Sequence, residues 1–186
     1  MTRTLLAAAL AFSAAASAQA ADTFNIDASH SAVIYKDQHL GVANNYGRFN
    51  EIEGTVTLDA ANPAANAVKL SIKTDSVDTH NEKRDQHLRA ADFLNSKQFP
   101  TMTFVSKAWA VTANGIQVTG DLSLAGTTKS ITVPVSQGPV IKDPWGLNRT
   151  GFETSFVLKR SDYGIKGVPG VGDEITVIIA VEAVSK

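Results

Sequence analysis

Four histidines and no cysteine bound the chemistry open to this chain. His80 and His87 stand two helical turns apart with Glu82 and Asp85 between them, so one helical face would carry both imidazoles. Two turns is a rise of about 10 Å, whereas a metal ion takes its ligands at about 2 Å. The pair cannot chelate one ion, there is no His-Glu-x-x-His motif, and no metal site is expected. Asp37 and His39 share a strand parity, and a carboxylate beside an imidazole is half of a catalytic relay. The other half is missing: there is no Gly-x-Ser-x-Gly elbow and no thiol. An enzyme built on this chain would have to use Asp37, His39 or His87 as acid or base. The glycine-rich run from Gly164 to Gly172 precedes a strand, whereas a phosphate cradle needs a strand before it and a helix after it, so it reads as a loop.

The elements that must position these side chains are strands with one interruption. Asp75 to Phe104 is the stretch that stops alternating. Thr79 followed by Glu82 is a capping-box pattern, which predicts a helix from about His80 to Ala91. Asp85 and Arg89 are spaced to meet as an i, i+4 pair, and Arg84, Leu88 and Ala91 share a face. A hydrogen-bonded network of Asp78, His80, Glu82, Arg84, Asp85 and His87 is expected to hold this segment, about 75–100, as a lid. Phe99-Pro100 restarts an extended run.

Elsewhere apolar residues recur at a period of two. Val33 and Tyr35 lead on to Asp37 and His39; Val68, Leu70 and Ile72 form a second face; Met102 and Phe104 a third. Asn44 to Gly47 is turn chemistry, and Asn114-Gly115 is a hairpin signal. Phe49 and Ile52 have opposite parity, which requires a break between them. Ile116, Val118, Leu122 and Leu124, then Ile131, Val133 and Val135, then Phe152, Thr154, Phe156 and Leu158, and last Ile175 to Val181 continue the pattern. Pro134 places its run at a bulge, a strand end or an edge. About eight strands at hairpin spacing favour an all-β antiparallel sandwich or barrel with one helical insertion.

The chain opens with Arg3, an alanine-rich apolar run and Ala18-Gln19-Ala20, the pattern of a cleavable secretory signal over residues 1–20. Cleavage after Ala20 leaves 166 of the 186 residues, 21–186, enough for one domain with its own core. The expected address is the periplasm. No run approaches the roughly 20 apolar residues of a membrane-spanning helix. Without Arg3, 16 basic face 18 acidic side chains with no block of one sign, which gives no footprint for nucleic acid.

An eight-stranded barrel is just wide enough to be filled by side chains or to hold one small ligand. The inward positions are mostly slim aliphatics such as Val56, Val118, Val177 and Ile179, while Phe49, Phe93, Phe99, Trp145 and Tyr163 cluster near strand ends. Those aromatics either rim a mouth or plug the ends, and the residue pattern leaves both open.

Separated motifs in order resemble the YceI-like family of polyisoprenoid-binding proteins. They are His30-Ser31; His39-Leu40-Gly41; His80-x-Glu82-x-Arg84-Asp85-x-His87-Leu88; Ala91-Asp92-Phe93; Phe99-Pro100 to Phe104; Gly120 to Leu124 with Gly126 to Lys129; and Arg160 to Gly164. The resemblance implies an eight-stranded lipocalin-like barrel with an apolar tunnel for an isoprenoid or similar amphipathic lipid, no catalysis, no cofactor beyond that lipid, and a homodimer. The lining is then expected from Val33, Tyr35, Ile72, Met102, Phe104, Leu122, Phe152 and Phe156. The mouth is expected from Asp37, His39, Phe93, Phe99, Trp145 and Tyr163. Asp37 departs from the family pattern, which is apolar there. Facing the tunnel it needs a partner, His39, Lys36 or Arg48, because an isolated buried carboxylate is very costly; at a strand-end bulge it would be exposed instead. An enzyme acting on a lipid or quinone head group, and a filled barrel serving as an adaptor, are the alternatives.

Overall fold

The computed structural model describes residues 21–185; the signal segment 1–20 and its cleavage point lie outside them. The described residues form eleven strand segments: β1 (Asp22–His39), β2 (Ala43–Phe49), β3 (Ile52–Leu58), β4 (Ala67–Lys73), β5 (Val77–Asp78), β6 (Thr101–Thr112), β7 (Gly115–Leu124), β8 (Thr127–Gln137), β9 (Ile141–Lys142), β10 (Asn148–Lys159) and β11 (Glu174–Ser185). An α-helix, α1 (Glu82–Arg89), stands between β5 and β6.

Eight of the strands close a ring in the order β1, β3, β4, β6, β7, β8, β10, β11 and back to β1, with antiparallel neighbours throughout. The long β1 makes closure possible. Its first half pairs with β3 and its second with β2, while β11 runs along both across a register shift between Asp27 and Ala32. The ring is a barrel, not a sandwich, and its closure pairs most of the edges that an open sheet would expose.

The seam between β8 and β10 is the thin part of the wall. Register pairs there are limited to Phe152 with Gln137 and Glu153 with Ser136. Pro134 lies on the β8 stretch bonded to β7 alone, which is where a residue without an N–H is tolerated. Further along, Lys129 reaches Asp162 at 3.3 Å across the gap.

Three local expectations are corrected. Asn81, not Thr79, caps α1, its side chain accepting from the Arg84 N–H at 3.1 Å, so the helix begins two residues late and Glu82 instead accepts from Gln86. Asp85 and Arg89 do not pair; each has a stronger partner elsewhere. Asn44 to Gly47 lies inside β2, and the reversal is at Leu40 and Gly41, both with positive φ (53° and 71°).

Candidate functional site

The barrel interior holds a cavity of about 210 Å3. At the end where β6 turns into β7 it is closed by Trp109, whose ring meets Phe152 edge-on at 6.3 Å, and by Val118 and Val56. At the other end stand Leu88 of α1, Phe93 and Leu94 after it, and Ile165 of the loop following β10. Between them the wall is almost wholly aliphatic and aromatic, which is what inward parity on every strand produces. Val33, Tyr35, Ile72, Met102, Phe104, Leu122, Phe152 and Phe156 all line this space.

Two aromatics reach the wall only because glycine faces them. A β-carbon on Gly47 would come within 2.4 Å of the Tyr35 ring, and one on Gly120 within 2.6 Å of Phe104. Tyr35 packs against Phe49 with centroids 5.9 Å apart. Burial, reinforced by the Asp37 carboxylate, raises its phenol well above the ordinary tyrosine range, so it stays neutral.

The residues named for the mouth separate. Asp37 and Phe93 line the cavity. Asp37 is half-buried and accepts from Asn45 Nδ2 at 3.3 Å, a partner on β2 opposite it in register, so none of His39, Lys36 or Arg48 is needed. His39 is exposed and is not part of the lining, although it bridges to Val171, which is. Phe99 packs against Gly126 on the β7–β8 turn, away from the cavity. Trp145 precedes β10, at the far end from α1, and is 80% exposed. Tyr163 is buried beneath the β8–β10 seam, its carbonyl accepting from Thr127 Oγ1. These four placements correct the expectation that aromatics and histidine form one rim: chain position near a strand end fixes neither which end nor which face.

Trp109 was not foreseen. Met102 and Phe104 predict that even-numbered positions of β6 face inward, but a register shift between Ser106 and Ala108 reverses the parity. The signal was a large aromatic on the wrong parity beyond a well-defined apolar pair.

The cap is fastened by polar contacts to backbone. Asp85, 6% exposed, accepts from both the N–H and the hydroxyl of Thr79. Arg84 donates to the same hydroxyl and to the Thr79 carbonyl at 2.8 Å. Arg89 donates to the carbonyls of Asp75 and Val77 at 2.8 and 2.9 Å, tying α1 to β5. His87 meets Asp92 at 2.9 Å, a contact that holds the Asp92 carboxyl below its usual range, and His87 lies edge-on to Phe93. Asp78 caps the turn at His80, accepting its N–H, and reaches Asn50. At the same end of the barrel Arg160 gathers the carbonyls of Ile165, Lys166, Val171 and Gly172, and so shapes the loop after β10.

A second charged cluster lies outside the cavity. Asp27, His30 and Glu182 bring ligand atoms within 4.8 Å of one another, but the Arg149 guanidinium already sits between the carboxylates, at 2.8 Å from Asp27 and 2.7 Å from Glu182. It also meets buried Asp143 at 3.4 Å. The cluster ties the irregular middle of β1 to β11 and to the turn before β10.

A closed eight-stranded barrel round an apolar cavity, capped by a short helix, is of the lipocalin-like class. Residues 24–183 match the YceI-like domain. Protein YceI of Escherichia coli is 40% identical over 183 residues, covering 96% of this chain and 94% of that one. The chain belongs to the YceI-like family. The crystal structure of Burkholderia cenocepacia BcnA has the same fold, with a TM-score of 0.76 at 24% identity over 84% of this chain and 98% of its own. A polyisoprenoid binding domain from Saccharophagus degradans, implicated in plant cell wall breakdown, superimposes with a TM-score of 0.70 at 14% identity, covering 88% and 98% of the two chains.

Proposed function

We propose that this protein binds and carries a single amphipathic lipid of the isoprenoid type, with the hydrocarbon tail in the barrel and the polar head near Asp37 at the capped end. The observation that carries the reading is the cavity wall, aliphatic and aromatic from Trp109 to Leu88. Apolar surface costs about 25 cal/mol per Å² to keep in water, so enclosure alone supplies affinity and needs no polar code along the tail. The ligand named for the S. degradans domain, whose fold this chain shares, supports the same class of cargo. The apolar leader ending in Ala18-Gln19-Ala20 supports export and a periplasmic place of work.

Organic extraction of the purified protein, followed by mass spectrometry, tests the reading. A lipid recovered unchanged at about one per chain is expected. A chain that yields none, and takes up no added polyprenol, would be a barrel without cargo.

A further inference from the structure

We propose that the turn between β1 and β2 is a membrane-docking tip that sets the capped mouth of the barrel against a bilayer. Leu40 and Val42 project from this turn 67% and 80% exposed. Leu40 is held there in a left-handed conformation (φ 53°), its N–H donating to the Gly170 carbonyl at 2.6 Å. The backbone is thus fixed with the Leu40 side chain beside Gly170 and still mostly in water, where a polar residue would have been solvated at no cost.

What stands behind the tip is ordered by distance. Tyr46 and Lys36 are register partners on the outer face of the β1–β2 ribbon, and Tyr46 is 58% exposed. Lys36 is four residues from Leu40, roughly 13 Å at strand rise. Apolar anchors sink about 5–10 Å into the boundary between headgroups and acyl chains, and Tyr and Lys favour the layer just outside it. Lys166, exposed on the neighbouring loop, adds a second cation to that layer, and neither lysine has an ion-pair partner among the described residues.

The tip is continuous with the cavity. Asp37 on the same ribbon and Val171 beside His39 both line it. Docking would therefore bring the mouth to the surface from which an amphipathic lipid must be drawn. A two-residue tip is also far too small for a stable protein interface, which needs about 800 Å² on each partner, whereas it suffices for insertion. This inference rests on the lipid-carrier reading.

The test is co-sedimentation of the purified protein with vesicles of phosphatidylethanolamine containing one third phosphatidylglycerol. The Leu40→Asp/Val42→Asp variant should bind at least tenfold more weakly than the unaltered chain. Aspartate tolerates the left-handed conformation at 40, so the fold is retained. The Ile141→Asp/Trp145→Asp variant, which alters the exposed apolar patch at the far end, should bind as the unaltered chain does. Polyprenol offered in detergent solution, where no bilayer has to be reached, should be taken up equally by all three, which separates failure of docking from failure of the carrier reading. Vesicle binding undiminished in the tip variant, lost in the far-end variant, or absent from the unaltered chain would each overturn the proposal.

Discussion

Replacing Leu122 by tryptophan asks directly whether the barrel is hollow. Leu122 lies on the cavity wall opposite Phe104, between Trp109 at one end and Phe93 at the other. The indole carries about six more heavy atoms than the leucine side chain and would take the place of as many ligand carbons, so at about 0.8 kcal/mol per buried methylene the loss of affinity is roughly 5 kcal/mol, more than a thousandfold. In a close-packed core the same enlargement would cost about 1–3 kcal/mol of stability. Into a cavity of about 210 Å3 it should cost little. The assays are displacement of a fluorescent apolar probe by polyprenol, and thermal unfolding followed by circular dichroism. Val105→Trp, on the outer face of β6 and 42% exposed, is the control and should change neither. A Leu122→Trp protein that unfolds far earlier yet leaves probe binding intact would refute the reasoning, because the interior would then be filled and the probe bound elsewhere.

Two further outcomes concern the fastenings. Asp85→Ala leaves the buried Thr79 N–H and hydroxyl without their acceptor, at about 1–3 kcal/mol for each unsatisfied group; an earlier unfolding midpoint and faster release of a bound probe are expected, and unchanged release would mean that α1 does not gate the mouth. Arg149→Ala leaves Asp27 and Glu182 facing each other across the β1–β11 ladder with nothing between them, so the unfolding midpoint should fall at pH 7. Hydrogen bonds from Ser29, then Arg149 and His30, hold Asp27 far below the ordinary carboxylate range; burial opposes the same shift at Asp143, where the N–H groups of Leu147 and Trp145 and the Arg149 side chain outweigh it. A carboxyl with a lowered folded-state pKa gives stability that is complete above about pH 4 and is lost as the pH falls through the folded value. Urea midpoints should therefore drop below pH 4 in the unaltered chain, and the Arg149→Ala deficit should shrink there; a deficit independent of pH would remove the charge argument.

The wall was legible in the sequence because a barrel strand obeys a period of two on both sides of its neighbours. Parity put Val33 with Tyr35, Ile72, Met102 with Phe104, Leu122, and Phe152 with Phe156 on one face of each strand; that this face encloses a cavity came from the family resemblance. Phe49 and Ile52, on opposite parity yet both buried, gave the break at Asn50 and Glu51 that separates β2 from β3. Trp109 escaped because a bulge is a property of the pairing and not of one strand's sequence. The cap escaped in detail for another reason. Asp85 and Arg89 satisfy a helical spacing rule, but exposed i, i+4 pairs are worth only about 0.2–0.5 kcal/mol, and buried backbone donors and acceptors compete for the same side chains with more at stake. Trp145 and Phe99 were misplaced because sequence locates an aromatic along a strand but not the end of the barrel to which that strand points.

A barrel that keeps its middle unfilled must find its stability in the wall and at the two ends. The largest of the fully buried side chains lie there: Phe24, Val56 and Val118 towards Trp109, and Val77 and Thr74 beneath the cap. The charged contacts have the same distribution, Arg149 binding three carboxylates near one end and Arg84, Arg89 and Arg160 holding backbone carbonyls near the other. Lining side chains such as Val33, Ile72 and Met102 are buried as well, and so shape the cavity while belonging to the same core. The same division explains why a thin seam between β8 and β10 is tolerated: the ring is pinned above by Lys129 with Asp162 and below by Ser136 with Glu153, so the stretch between them, Pro134 included, has no ladder to lose.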